Sequence, residues 1–149
     1  MADQSVAWTR TPGGEPENDG TETRMPSAEQ VVRDFCAAVS ARDPEALRPF
    51  FSEDVVYHNI PMDPAEGMEA TMAVLNMFMG MCEELEFEIH HLASDGSTVL
   101  TERTDRFAMN GASAPLPVMG AFHVVDGKIT AWRDYFDMAQ VTAIFAGGG

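Results

Sequence analysis

Apolar and polar side chains alternate with a period of two along STVLTERTDRF (97–107), the mark of a strand with one buried face. Val99, Thr101, Arg103, Asp105 and Phe107 fall on one face, and Leu100, Glu102, Thr104 and Arg106 on the other. Three further strands are predicted over LEFEIHHL (85–92), PLPVMGAFHVV (115–125) and KITAWRDYF (128–136). The segments between them, ASDG, MNGASA and DG, have turn chemistry. Earlier in the chain VVYHNI (55–60) reads as a strand and PMDPAEG (61–67) as a loop. Helical spacing begins at Ser27. SAEQ has capping-box form, and Val31, Phe35 and Val39, with Ala28 and Ala38, continue the helix to about Ala41. A short helix follows over PEALRPFF, with Pro44 suited to its first turn. In 68–82, Met68, Met72, Leu75, Phe78, Met79 and Cys82 recur at helical spacings. A terminal helix is predicted over DMAQVTAIFA, capped by Asp137, with Gly147–Gly149 fraying beyond it.

The order is helix, helix, strand, helix, four strands, helix. Strands joined by short turns are antiparallel, so the pattern is α+β. The expected fold is a curved mixed, mostly antiparallel sheet wrapped around helices, a cone with a deep apolar pocket. Residues 1–26 are rich in Gly, Pro, Thr and acids and read as a disordered leader, with Trp8 its one large apolar residue. Residues 27–149 are expected to form one domain.

Composition narrows the classes. A chain of 149 residues that is 45% apolar suits one hydrophobic core. It has no apolar run of bilayer length, and its N-terminus lacks the pattern of a secretory signal, so a cytoplasmic protein is expected. A net charge of −15 argues against nucleic acid and anionic membranes as partners. Cys36 and Cys82 form no disulfide framework and read as core filler. His58, His90, His91 and His123 match no metal-ligand spacing, and His90 and His91, adjacent on a strand, should face opposite ways; no metal site is expected.

The chemistry lies on the inward faces. Arg103 and Asp105 share one, and a buried charge is costly unless paired. Val55, Tyr57 and Asn59 share another, and Thr130, Trp132, Asp134 and Phe136 a third. If these faces meet, two carboxylates, a guanidinium, a phenol and an amide line one apolar pocket. One arginine neutralises one carboxylate, and the second then holds a proton more readily. A protonated Asp105 is an acid. A water held by Asp134, Tyr57 and Asn59 is a nucleophile. Together they can open a strained ether. Arg103–Asp105 also fits a purely structural ion pair, and spacing alone does not bring three segments together. The Met-rich helix fits core packing or a pliable pocket wall.

Three motifs in order resemble the limonene-1,2-epoxide hydrolase family: YHN at 57–59, TERTD at 101–105 and WRDYFD at 132–137, with GAF at 120–122 in support. The similarity spans roughly residues 27–145. It implies a cone-shaped fold of the kind shared with nuclear transport factor 2 and ketosteroid isomerase. It also implies a homodimer, no metal or cofactor, and one-step attack of water on an apolar cyclic or aliphatic epoxide. By resemblance Asp134 is the base, Tyr57 and Asn59 hold the water, Asp105 is the acid and Arg103 bridges the two. Phe107, Met119, Leu75, Met79, Phe136 and Trp132 are the expected pocket lining, with Met77 adding flexible bulk. An isomerase or polyketide cyclase on the same scaffold, and a non-catalytic binding module, are the competing readings.

Overall fold

Ser27 opens the first helix as its sequence predicts. In the computed structural model, which describes residues 25–147, its Oγ accepts a hydrogen bond from the Gln30 N–H at 3.1 Å. That satisfies one of the unpaired donors of a first turn. The other half of the capping box is not made, because the Gln30 side chain donates to Asp34 instead, at 2.8 Å. Helix α1 (Ala28–Ala38) buries Val31, Val32, Phe35 and Cys36, and a 3-10 turn, Val39–Ala41, carries it to the expected end. Helix α2 (Pro44–Leu47) is capped by Asp43, whose Oδ1 accepts from the Glu45 N–H at 3.1 Å. The leader expected over 1–26 and the glycine tail fall largely outside the described residues.

A 3-10 turn at Arg48–Phe50 delivers the chain already extended, so β1 (Phe51–Asn59) starts four residues before the predicted strand. The stretch read as loop contains a two-residue strand, β2 (Ala65–Glu66). Helix α3 (Met68–Met81) crosses back. Then β3 (Glu84–Asp95), β4 (Thr98–Met109), β5 (Ala112–Val125) and β6 (Lys128–Tyr135) form an antiparallel meander. Helix α4 (Met138–Gly147) follows, and Asp137 Oδ1 accepts from the Ala139 N–H at 2.9 Å as a cap. The sheet order is β2-β1-β6-β5-β4-β3, with β1 parallel to β6. The expected α+β class with a mixed, mostly antiparallel sheet is therefore the observed one.

The core centres on Trp132. Tyr57 stacks on it with centroids 3.9 Å apart, Phe122 stacks at 5.8 Å, and Phe35 of α1 meets it edge-on at 4.9 Å. Offset and edge-to-face pairs of this kind add to what burial alone contributes. The same residues place β1 and β6 side by side at the site.

One sequence expectation is overturned in β3. A bulge between Ile89 and His91 adds an unpaired residue. His90 and His91 therefore do not face opposite ways. His90 Nε2 lies 2.7 Å from Thr104 Oγ1 and His91 Nδ1 2.7 Å from Glu102 Oε1, both partners on the outer face of β4.

Candidate active site

The parallel pairing of β1 with β6 sets Tyr57 opposite Trp132 and Asn59 opposite Asp134. The antiparallel pairings set Thr101, Gly120 and Asp134 in one row across β4, β5 and β6. Arg103 sits two residues along β4 from Thr101, with Asp105 two further on, all on the inner face. The three segments that sequence could not join are thus joined by register.

Arg103 is completely covered, and its guanidinium spends every N–H on a neighbour. Nε donates to Asp105 Oδ1 at 2.9 Å. Nη2 donates to Asp105 Oδ2 at 2.7 Å and to Asp134 Oδ2 at 2.9 Å. Nη1 donates to Asp134 Oδ1 at 3.1 Å and to Thr101 Oγ1 at 3.3 Å. The Phe87 ring lies against the guanidinium, its centroid 4.5 Å from Cζ. Trp132 Nε1–H donates to Asp134 Oδ1 at 2.8 Å. A carboxylate oxygen has about two lone-pair directions. Asp134 Oδ1 is therefore filled, while Oδ2 and both oxygens of Asp105 keep one direction free.

The electrostatics follow from burial. Burial alone works against the Arg103 cation, but the charges of Asp134 and Asp105 and their hydrogen bonds raise it well above the usual arginine range. Burial pushes the Asp105 carboxyl up to about 6; hydrogen bonding to Arg103 and its charge oppose the rise, and the nearby Asp134 charge adds to it. Burial, and then the Asp134 charge, hold the Tyr57 phenol well above the usual tyrosine range, with Asn59 acting the other way. Tyr57 is thus a neutral hydroxyl. Burial pushes the Cys36 thiol up to about 12, which keeps it protonated filler.

Asp105, Asp134, Tyr57 and Asn59 form the polar floor of a cavity of about 300 Å³. Phe107 and Phe136 line it. Four predicted lining residues do not. Met119 points to the outer face of β5 and is 51% exposed, because its neighbour Val118 takes the inner position. Leu75 and Met79 are buried in the core on the opposite stripe of α3. Trp132 lies behind Asp134, buried in the core and not among the lining residues. The wall is built instead from Val74, Met77, Phe78 and Met81 of α3, and Met138, Val141 and Phe145 of α4. Phe87, Leu116 and Val118 complete it on the strands, and Met62 and Asp63 also line it. Of these, sequence assigns Met77 to the pocket and names Phe78 only within the Met-rich helix. Among the described residues no cluster of His, Cys, Asp and Glu could hold a metal ion, and no helix is long and apolar enough to cross a membrane.

The limonene-1,2-epoxide hydrolase catalytic domain matches residues 26–146. The chain belongs to this family. It is 35% identical over 108 residues to epoxide hydrolase EphG of Mycobacterium tuberculosis, covering 72% of each chain. The structure of an M. tuberculosis LEH-like epoxide hydrolase superposes with a TM-score of 0.69 at 35% identity, over 80% of this chain and 87% of that one. A Shewanella putrefaciens protein described as a SnoaL-like polyketide cyclase reaches a TM-score of 0.73 at 18% identity, covering 83% and 99%. A Catenulispora acidiphila protein of ketosteroid isomerase-like fold reaches 0.70 at 22%, covering 77% and 91%. These last two likenesses are of fold.

Two residues make contacts with the ion triad of Arg103, Asp105 and Asp134 that sequence does not give. Thr101 was read only as part of TERTD, and Trp132 as lining where it is a hydrogen-bond donor. Period-two alternation places both inward, and the fold decides which atoms they meet: Thr101 Oγ1 meets Arg103 and Trp132 Nε1 meets Asp134. The site also sets a stability expectation. Arg103→Met leaves two buried carboxylates without their cation, which should cost about 3–5 kcal/mol. Protonation relieves a stranded carboxylate, so the loss should be larger at pH 8 than at pH 5. Urea unfolding of both proteins at the two pH values measures it.

Proposed function

We propose that the chain is a cofactor-independent epoxide hydrolase that converts apolar cyclic or aliphatic epoxides to vicinal diols by direct attack of water. The observation that carries this reading is one guanidinium shared by two carboxylates that face one apolar cavity, each with a free oxygen direction. A water on Asp134 Oδ2, steadied by Tyr57 and Asn59, attacks one epoxide carbon. Asp105 gives its proton to the epoxide oxygen as the C–O bond breaks. The water oxygen forms the new C–O bond and loses a proton to Asp134. Before the step the site holds Arg103 as a cation, Asp134 as an anion and Asp105 neutral. After it the two aspartates have exchanged states. The summed charge is zero throughout, so the dry cavity never carries an uncompensated charge in the transition state. Return of one proton from Asp134 to Asp105 resets the site. Side chains supply the acid and the base and hold the attacking water, so the chemistry asks for no cofactor or metal.

Single-turnover hydrolysis of limonene oxide, cyclohexene oxide and a bulkier steroid-like epoxide in ¹⁸O-water tests the reading. First-turnover diol should carry ¹⁸O; unlabelled diol would mean that a carboxylate attacks. Asp134→Asn and Asp105→Asn should each lower kcat by about 10²–10⁴-fold, the usual worth of a general acid or base. Both should still melt cooperatively. Substantial activity in Asp134→Asn would remove it as the base.

The acid must be protonated to work, and burial pushes Asp105 up to about 6. Its protonated fraction therefore falls as pH rises through that value. A plot of log(kcat/KM) against pH should bend downward near pH 6, and Asp105→Asn should lack that bend.

We also propose a homodimer joined through the outer faces of β4–β6. Leu100, Met119 and Tyr135 stand exposed there. Register sets Met119 between Glu102 and Tyr135, and Ala121 between Leu100 and Arg133. An apolar centre edged by Glu102 and Arg133 suits a second copy of the same surface. Sedimentation velocity should give a dimer at micromolar concentration, and Met119→Arg should shift it to monomer. A wild-type monomer at that concentration would rule this interface out.

A further inference from the structure

The four polar side chains of the cavity floor and the Arg103 beneath them leave Gly120, in the middle of β5, without a role. Four other glycines, Gly67, Gly96, Gly111 and Gly127, adopt positive φ at turns or caps, where other residues are strained. Gly120 does not, so its backbone would accept any residue. A glycine inside a strand weakens it and often marks a close approach by another group. Here the approaching group can be named. A Cβ on Gly120 would lie 2.8 Å from Thr101 Oγ1 and 2.9 Å from Asp134 Oδ1, and would overlap Arg103 Nη1 outright.

We infer that Gly120 is a positioning residue of the epoxide hydrolase site: the side chain it lacks is the passage through which Arg103 Nη1, from β4, crosses β5 to reach Asp134 Oδ1 on β6. The catalytic half of this inference rests on the function proposed above. The steric half rests on the row Thr101, Gly120, Asp134 alone. Arg103 and Asp134 stand on strands that are not neighbours, since β5 lies between them. Adjacent strands are about 4.8 Å apart, so the cation must pass over the intervening strand to bridge the outer two. A β-carbon at Gly120 closes that path. Nη1 would withdraw from Asp134, whose Oδ1 would then keep only the Trp132 donor, and the carboxylate would be held by two donors instead of three. Gly120 does not line the cavity, so substrate binding has no direct stake in it.

A double-mutant cycle of Gly120→Ala with Arg103→Lys tests the inference. Lysine carries no Nη1, so in that background the outright overlap is gone and only the approaches to Thr101 Oγ1 and Asp134 Oδ1 remain. Against wild type, Gly120→Ala should lower kcat by about 100-fold, the scale of a catalytic group misplaced by 1 Å. KM should stay within about threefold because cavity contacts are untouched. In thermal melts, Gly120→Ala should lower Tm clearly in the wild-type background and much less in the Arg103→Lys background, the non-additivity of residues in direct contact. In ¹⁵N-resolved spectra, separate Nη signals of Arg103, assigned by their loss in Arg103→Lys, should be seen in wild type and should shift or merge in Gly120→Ala.

If Gly120→Ala alone fails to fold while the double variant folds, the same coupling is shown. Equal Tm losses in both backgrounds, failure of both to fold, or a Gly120→Ala enzyme with kcat within threefold of wild type would overturn the inference. If wild type hydrolyses no epoxide, the proposed function fails. The melting cycle and the Nη signals still decide whether the glycine makes room for the arginine.

Discussion

A fully buried guanidinium between two carboxylates governs the design of this molecule. Removing a cation and two acids from water costs several kcal/mol per ion, and only near-complete hydrogen bonding offsets it. Arg103 meets that condition with five donated contacts. The geometry needed for those contacts constrains the strands around it. Asp105 must lie two residues along β4 from Arg103. Asp134 must be in register with Gly120, and Gly120 with Thr101. A slip of one residue in β6 would send Asp134 to the outer face, and one in β4 would send Arg103 and Asp105 there together, stranding what remains. The ion triad therefore fixes register, in addition to whatever chemistry it performs.

Trp132 couples that triad to the hydrophobic core. Its ring is packed by Tyr57, Phe122 and Phe35, while its indole N–H holds Asp134 Oδ1. The orientation of Asp134 is thus set from behind by the most tightly packed part of the protein and from the side by Arg103. Tyr57 stands in the same stack, so the phenol in the cavity floor is packed directly on the indole beneath it. Core packing and site geometry here are one set of contacts, and a core substitution near Trp132 is also a change to the site.

The inner face of β4 was legible in the sequence because alternation there is strict and its inward charges are conspicuous. The floor residues Tyr57, Asn59 and Asp134 were legible for the same reason, and the family resemblance supplied what spacing could not, that their strands meet. The wall was much less so. Helix α3 is apolar on two stripes. Met68, Met72, Leu75 and Met79 face the core, while Val74, Met77, Phe78 and Met81 face the cavity. Helical periodicity finds both stripes and cannot say which one meets empty space. On β5, Val118 and Met119 are equally apolar, and only pairing with β4 decides that Val118 goes inward. The bulge at His90 breaks the period on which any face assignment rests. Gly120 was invisible as a site residue because a missing side chain leaves no chemical signature.

The division between floor and wall has a consequence for how such a site can vary. The polar groups sit on hydrogen-bonded strands in the middle of the sheet, where each is over-determined by neighbours. Much of the apolar lining is carried by two helices and is rich in methionine and phenylalanine, side chains that change shape at little cost or fill space without polar demands. Substitutions at Val74, Met77, Met81, Val141 or Phe145 alter the volume open to a substrate without touching a hydrogen bond of the triad. Substitutions in the row of Thr101, Gly120 and Asp134 cannot avoid it. Substrate range and bond chemistry are therefore separable in this fold, and the sequence differences that change one need not change the other.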